Sequence, residues 1–336
     1  MKLKLFLCLF AAVCIGLALS ATAMSQVNGY RISEPVSYKN LSIFLIHGKD
    51  ENTKGNILTL QEAMERKLLI VYETSDVNEL EVENLSKEFD VFIQSGDIVK
   101  GGKQDRVLAV SIIIPARSGR VSIEAFCVES GRWTKRGNED STKFNSSNDR
   151  IVSKELKLAA NAKRSQQEVW AKVTEAQTRL SNSVGSTVVD GTSSSSLQLS
   201  LENKQVAANV DDYLKSLGNI AAGKSDVIGY AFAINGKLNS ADIYVSNALF
   251  RKVWTKMLKA AATEAVAESR SVRLAAPVKA EAVKGFIDDA EKAAGKERSV
   301  SANGRVITRE DKDNAMFEAR DEKSKTVVHK NYVKKP

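Results

Sequence analysis

The chain has 336 residues, with 49 Lys+Arg against 41 Asp+Glu, a formal net charge of +8, and only three cysteines and two histidines. That length is ample for a sizeable core, as one large domain or two interlocked halves. The positive excess is mild and no Lys/Arg run carries interleaved aromatics, so nucleic acid is set aside as a partner.

Residues 1–23 read as a cleaved export signal. Lys2 and Lys4 form a positive start, Leu5–Leu19 is a continuous apolar run, and Ala21-Thr22-Ala23 offers small residues to a signal peptidase. The run is shorter than the roughly 20 apolar residues of a membrane span, and no stop-transfer charges follow it. Cys14 follows Val13 rather than a small residue, which disfavours a lipid anchor. The expectation is a periplasmic or secreted protein cleaved near Ala23, with no membrane attachment afterwards. Loss of Lys2 and Lys4 leaves 47 basic and 41 acidic residues, a net of +6, and Cys127 as the one cysteine. No internal disulfide can form, so stability must come from the core.

Residues 24–336 are expected to make a single α+β domain: β-rich over 34–133, helical with a hairpin over 150–268, and a helix with strands over 277–335. Leu41–Ile46 and Leu68–Tyr72 are short apolar runs that predict strands. Between them Thr59 and Glu62 form a capping box that opens about two turns of helix. Asn78–Ser86 alternates apolar residues with acids, as a half-exposed strand does. Val91–Ile93, Val107–Ile114 and Val121–Val128 alternate with Gly-marked turns, the pattern of consecutive antiparallel strands.

Gly137–Arg150 is polar and aperiodic and predicts a boundary loop. Val169, Val173, Ala176 and Leu180 then recur at helical spacing, a helix predicted to start near Ile151. Ser181–Ser196 is rich in Ser, Gly and Thr and reads as a mobile loop. Val206, Val210, Leu214 and Leu217 mark another helix, with Gly218 at its C-cap. Val227–Asn235 and Ala241–Val245 predict a hairpin turning at Asn235-Gly236. Ser246 or Asn247 caps a helix whose wide stripe, Phe250 to Ala265, predicts deep packing. A helix is predicted within Pro277–Ala294. Arg305–Thr308, Met316–Ala319 and Thr326–Val333 are expected as charged edge strands that rejoin the body.

Gly218-Asn-Ile-Ala-Ala-Gly223-Lys224-Ser225 matches the phosphate-loop pattern letter for letter. That loop needs a strand before it and a helix after it. Here a helix precedes and a strand follows, so the match is read as accidental. His47 and His329 lie far apart without ligand spacing, which leaves a His-anchored metal poorly supplied. No GxSxG elbow is present.

The central block, Phe89–Trp133, carries the candidate site. A strand from Gln104 puts Gln104, Arg106, Leu108 and Val110 on one face, with Arg106 just after Gly101-Gly102, where bare amides can approach an anion. Cys127 and Glu129 share a face with Val121 and Ile123, and Glu129 needs a partner, Arg106 or Arg132. The bland alternative is a buried Arg–Glu pair that fixes strand register, with Cys127 in the core and Trp133 as packing.

The segments Gly101-Gly-Lys-Gln-Asp-Arg106 and Cys127-Val-Glu-Ser-Gly-Arg-Trp133 resemble the ARG and rhodanese-phosphatase-superfamily-associated protein domain family. The likeness extends through Gln167–Trp170, Gly229–Gly236, Ala241–Tyr244, Leu249–Trp254 and Thr326–His329, most of the chain. The resemblance implies an α+β domain named for its association with ADP-ribosylglycohydrolase-like and phosphatase-like proteins, and it carries over no catalytic role and no cofactor. Gln104, Arg106, Cys127, Glu129, Arg132, Trp133 and Asp242 match the family pattern. The leading expectation is therefore a binding domain for a small anionic, nucleotide- or ADP-ribose-like ligand, held by Gln104, Arg106, Glu129, Arg132, Trp133 and Asp242. Second is a hydrolase with Glu129 or Asp105 as general base on a phosphorylated or glycosidic substrate, and third a structural or interaction module. The sequence specifies no oligomeric state.

Overall fold

The computed structural model describes residues 25–27, 29–51, 56–269, 276–302 and 304–336, and the expected export signal lies outside them. The architecture is α+β, with mainly antiparallel sheets and seven described α-helices. The helices are α1 (Leu60–Glu65), α2 (Lys154–Lys157), α3 (Gln166–Val184), α4 (Leu197–Leu201), α5 (Lys204–Leu217), α6 (Asn247–Ala267) and α7 (Ala280–Lys292).

Ten strands form the large sheet. Its order is β1 (Ser25–Val27), β2 (Tyr30–Ile32), β4 (Leu41–His47), β14 (Val227–Ile234), β15 (Lys237–Tyr244), β19 (Val327–Lys334), β18 (Asn314–Asp321), β17 (Gly304–Glu310) and β16 (Gly295–Ser301). The short β3 (Val36–Tyr38) also pairs with β4. The β14–β15 hairpin turns at Asn235 (φ 50°) and Gly236 (φ 72°), both left-handed as a two-residue primed turn requires. Both faces of this sheet are covered, which is why β4 and β14 read as continuous apolar runs. On one face Phe44, Ile46, Ile243, Met316 and Tyr332 pack against Val283, Phe286 and Ile287 of α7. On the other, Ile43, Leu45, Tyr230 and Phe232 meet the buried stripe of α6, whose N-cap Ser246 accepts from Leu249 N–H.

Six strands form the second sheet, in the order β13 (Phe144–Ile151), β9 (Asp97–Gly101), β10 (Arg106–Leu108), β12 (Arg120–Cys127), β7 (Glu79–Asn84) and β6 (Leu69–Glu73). Its two edges meet. Tyr72 bridges to Lys143, and Glu73 N–H donates to Thr142 O at 3.0 Å, so the sheet curls into a nearly closed barrel. Val71, Leu80, Val82, Val99, Leu108, Ile123, Ala125 and Phe144 share one apolar cluster on its inner face. A third sheet of β11 (Ile112–Ile114), β8 (Asp90–Ile93) and β5 (Ile57–Thr59) adds Ile112, Ile114, Val91, Ile93 and Leu58 to that cluster.

Several expectations are corrected. Val107–Ile114 is two strands in two sheets, because the chain turns at 109–111. The polar stretch before Arg150 contains β13, whose pairing to β9 uses backbone groups and needs no apolar alternation. The helix expected from Ile151 is broken: α2 passes into a π-helical turn, Arg164 takes φ 50°, and α3 starts afresh under the Ser165 cap. That helix runs on to Val184 and stops at left-handed Gly185. Gly218 does occupy the C-cap of α5, but with φ −57° the chain continues as a 3-10 turn. The sheet edge beyond β17 is β16, a charged strand without apolar period, whereas β18 and β19 are interior.

Candidate functional site

Alternation along β10 sends Arg106 into the barrel with Leu108, while the preceding Asp105 leaves on the other side. Arg106 sits opposite Val99 and Cys127 in register and is wholly buried. Its Nη1 donates to Gln104 Oε1 at 3.3 Å and to Cys127 Sγ. Its Nη2 donates to Glu73 Oε1 at 3.3 Å, and its Nε has no partner. Glu73 also accepts from the N–H groups of Ser75 and Lys103, each at 3.0 Å. Burial pushes the Cys127 thiol up to about 11, and Arg106 offsets this only in part, so the sulfur stays protonated at neutral pH. Trp133 lies over this layer with 41% of its surface exposed. Lys103 Nζ is 5.1 Å and the Arg106 guanidinium carbon 5.5 Å from the centroid of its ring.

Outside the barrel wall is a second charged layer. Asp105 Oδ1 accepts from Gly101 N–H at 3.0 Å and from Arg136 Nη2 at 3.1 Å. Its Oδ2 accepts from Arg136 Nη1 at 3.0 Å and from Ser196 Oγ at 3.1 Å. The amide that sequence reasoning offered to an external anion is thus occupied by the chain's own carboxylate. Gly101 has φ 117°, and a side chain on Gly102 would collide with the Phe144 ring at 2.3 Å, which accounts for the glycine pair. Glu129 accepts from Arg132 Nη2 at 2.6 Å, from the Asp105 N–H at 3.2 Å and from Ser193 Oγ. Arg136 Nη1 lies 3.5 Å from Glu129 Oε1, and Arg136 Nη2 lies 2.9 Å from Glu139 Oε1. Burial raises the Asp105 carboxyl above its ordinary value despite Arg136, with Glu129 adding to the rise. Burial also opposes ionisation of Glu129, but the bonds from Arg132 and Ser193 outweigh it and lower its value.

The structure therefore divides the predicted residues. Gln104 and Arg106 belong to the inner layer with Trp133 over them, and Asp105, Glu129 and Arg132 form the outer one. Of the two partners considered for Glu129, it has Arg132; Arg106 goes to Glu73 instead. Glu73, Arg136, Ser193 and Ser196 were missed. Glu73, Ser193 and Ser196 come from distant segments, whereas Arg136 stands just beyond Arg132, and Ser193 and Ser196 belong to the stretch read as a mobile loop. Ser196 is also the N-cap of α4, accepting from Leu199 N–H.

Asp242 is placed elsewhere, inside the large sheet. Its Oδ1 accepts from Asn331 Nδ2 at 2.9 Å and pairs with His329 Nε2 at 3.0 Å. His329 Nδ1 lies 2.9 Å from Ser111 Oγ, and its ring stacks on Tyr244 at 4.7 Å. Burial would raise Asp242, but Lys157, His329 and Asn331 together hold it low. In the tautomer whose Nε2–H donates to the Asp242 carboxylate, Nδ1 accepts from the Ser111 hydroxyl. The order Ser–His–Asp matches a hydrolytic triad, but the three residues are only 6%, 1% and 0% exposed. The array ties β15 and β19 to the turn before β11, which is a structural role. His47 has its own carboxylate, Asp226, at 2.9 Å. Among the described residues no group of three or more His, Cys, Asp or Glu is placed to hold a metal ion.

The phosphate-loop match lies between α5 and β14. Lys224 Nζ donates to Ile220 O at 2.7 Å, and Trp254 Nε1 donates to Gly218 O at 2.8 Å, so the motif is a packed turn. No described helix is long and apolar enough to cross a membrane.

The family model described as ARG and Rhodanese-Phosphatase-superfamily-associated Protein domain matches residues 29–333, and the chain belongs to that family. No curated protein and no solved structure matches it.

Proposed function

We propose that this member of the family binds a small anionic ligand with a planar ring, nucleotide- or ADP-ribose-like, against Trp133 at the barrel mouth, outside the cytoplasm after removal of residues 1–23. The observation that carries the reading is an exposed indole flanked by two cations, Lys103 and Arg106. Stacking a base on an aromatic side chain contributes about 1–3 kcal/mol. Lys103, half-buried and bonded only to Ser75 through its ammonium, is free to turn toward a phosphate. Arg132, with a side chain 11% exposed and a buried Nε that has no partner among the described residues, is a second cation of the mouth with a donor still uncommitted. Arg106 contributes its field, since Glu73 and Cys127 already hold its Nη atoms, and Asp105 and Glu129 orient the outer arginines. Thermal-shift titration with ADP-ribose, AMP and ribose 5-phosphate tests this. ADP-ribose and AMP should raise the melting temperature more than ribose 5-phosphate, and Trp133→Ala should remove the rise while leaving the apo melt nearly unchanged. No response to any of the three would overturn the reading.

A second reading, hydrolysis with Glu129 or Asp105 as base, is favoured by one observation. Two carboxylates sharing Arg136 Nη1, at 3.0 Å and 3.5 Å, are shifted in opposite directions, as acid–base pairs are. Their complete burial is what it must overcome.

A further inference from the structure

Residues of α2, α3, α4 and α6 line a cavity of about 40 Å³. Its inner walls are apolar, with Leu156, Leu180, Leu197 and Leu201, while Glu155, Glu264, Glu268 and Arg179 stand around it. Arg179 reaches Glu155 only at 3.8 Å. Two buried atoms of the lining, Ser153 Oγ and Arg179 Nε, have no hydrogen-bond partner among the described residues. Among the described residues Glu264 accepts from the Lys154 N–H at 3.2 Å and from Asn239 Nδ2 at 3.0 Å and is in no ion pair. An apolar chamber with a few convergent polar groups has the ordinary form of a small-molecule site.

We propose that this cavity binds a short aliphatic amine, its alkyl body among the leucines and its ammonium against Glu264 and Glu268. Charge complementarity selects that occupant: the lining carries three carboxylates, Glu155, Glu264 and Glu268, against the one arginine Arg179. The groups that face Glu264 are Glu155, Lys154 and Lys157 at α2 and Asn239 on β15. Those acting on Glu268 are Lys154, Glu155, Arg179 and Lys237. Burial, with Glu155 adding to it, holds the Glu264 carboxyl up at about 7 although Lys154 and Lys157 act to lower it. An arriving ammonium would favour the ionised carboxylate, so affinity should rise through neutral pH.

Isothermal titration with n-butylamine, 1-butanol and butyrate, at about pH 8.5 and about pH 5.5, tests the proposal on either side of the Glu264 value of about 7. At the higher pH butylamine should bind about tenfold tighter than butanol, the advantage of a charge-assisted hydrogen bond, and butyrate should not bind. That preference should fall to about twofold at the lower pH and in Glu264→Gln. Ala176→Phe, which fills the chamber from α3, should abolish binding of both amine and alcohol. Should Glu264→Gln fail to fold, the pH series and Ala176→Phe still decide. Equal affinity for amine and alcohol at the higher pH, amine binding that survives Ala176→Phe, or no heat from any probe would each overturn it.

Discussion

At the barrel mouth and in the helix-lined cavity, carboxylates are withdrawn from water, and their surroundings differ in one respect. Asp105 and Glu129 are met by guanidinium groups at 2.6–3.1 Å and by serine hydroxyls. Glu264 is met by one backbone amide and one asparagine amide. Burial acts upward on all three carboxyl groups. It is outweighed only at Glu129, where Arg132 bonds directly, and it wins at Asp105 and at Glu264. Opposite charge at bonding distance is therefore not enough by itself: Asp105 has Arg136 at 3.0 and 3.1 Å and is still raised, with Glu129 beside it adding to the rise. The arginines of the mouth are paired with carboxylates of the chain, whereas the cavity retains acceptors that a guest could use.

The largest effect that would break this contrast is at Arg136, which serves Asp105, Glu129 and Glu139 together. Arg136→Met leaves buried carboxylates uncompensated and should cost toward the upper end of the roughly 3–5 kcal/mol expected for half of a buried pair. Urea melts at neutral pH measure it, and a loss below about 1 kcal/mol would mean that water already reaches this layer.

Arg106 sharpens the comparison from inside the barrel. Arg106→Met should cost about 3 kcal/mol by stranding Glu73, and Arg106→Met with Glu73→Leu should recover much of it. The double change with Glu129→Leu should recover nothing, because Glu129 keeps Arg132 and Arg136. A denaturant-based double-mutant cycle that assigned the coupling to Glu129 would contradict the observed pairing.

The smallest effect is the pH response of the cavity. The folded-state value of Glu264, about 7, lies above its ordinary 4.5, so the fold favours the protonated form. Its contribution is greatest below about 4.5 and declines as pH rises to about 7, by linkage. Allowing for residual exposure, the decline should be on the order of 1–2 kcal/mol and should be missing from Glu264→Gln. Glu129, with its value lowered, acts in the opposite sense: its contribution is present at neutral pH and is lost on acidification. Melts from pH 5 to pH 8 isolate the Glu264 decline, since the Glu129 loss lies below its ordinary 4.5 and needs a separate series at lower pH.

Much of the scaffold was legible because its signals are local. Asn235-Gly236 dictated a primed turn, Thr59 and Glu62 a capping box with both of its bonds, and Ser246 with the Phe250–Ala265 stripe a long buried helix. Arg132, three residues from Glu129, was one of two candidate partners in the sequence, and the structure pairs Glu129 with it and not with Arg106. Strands without apolar period, β13 and β16, were not legible, because what holds them is a neighbour's backbone. The partners that define the site escaped as well: Glu73 lies 33 residues from Arg106, and Ser196 lies 91 residues from Asp105. The sequence by itself determined the turns, caps, apolar faces and the presence of charge at the strand ends. Only closure of the barrel, and the descent of the serine-rich segment onto it, decided which carboxylate each arginine neutralises. Side-chain period carries a residue to a face, but ion pairing depends on distances of a few ångströms between segments whose separation along the chain places no limit on their approach.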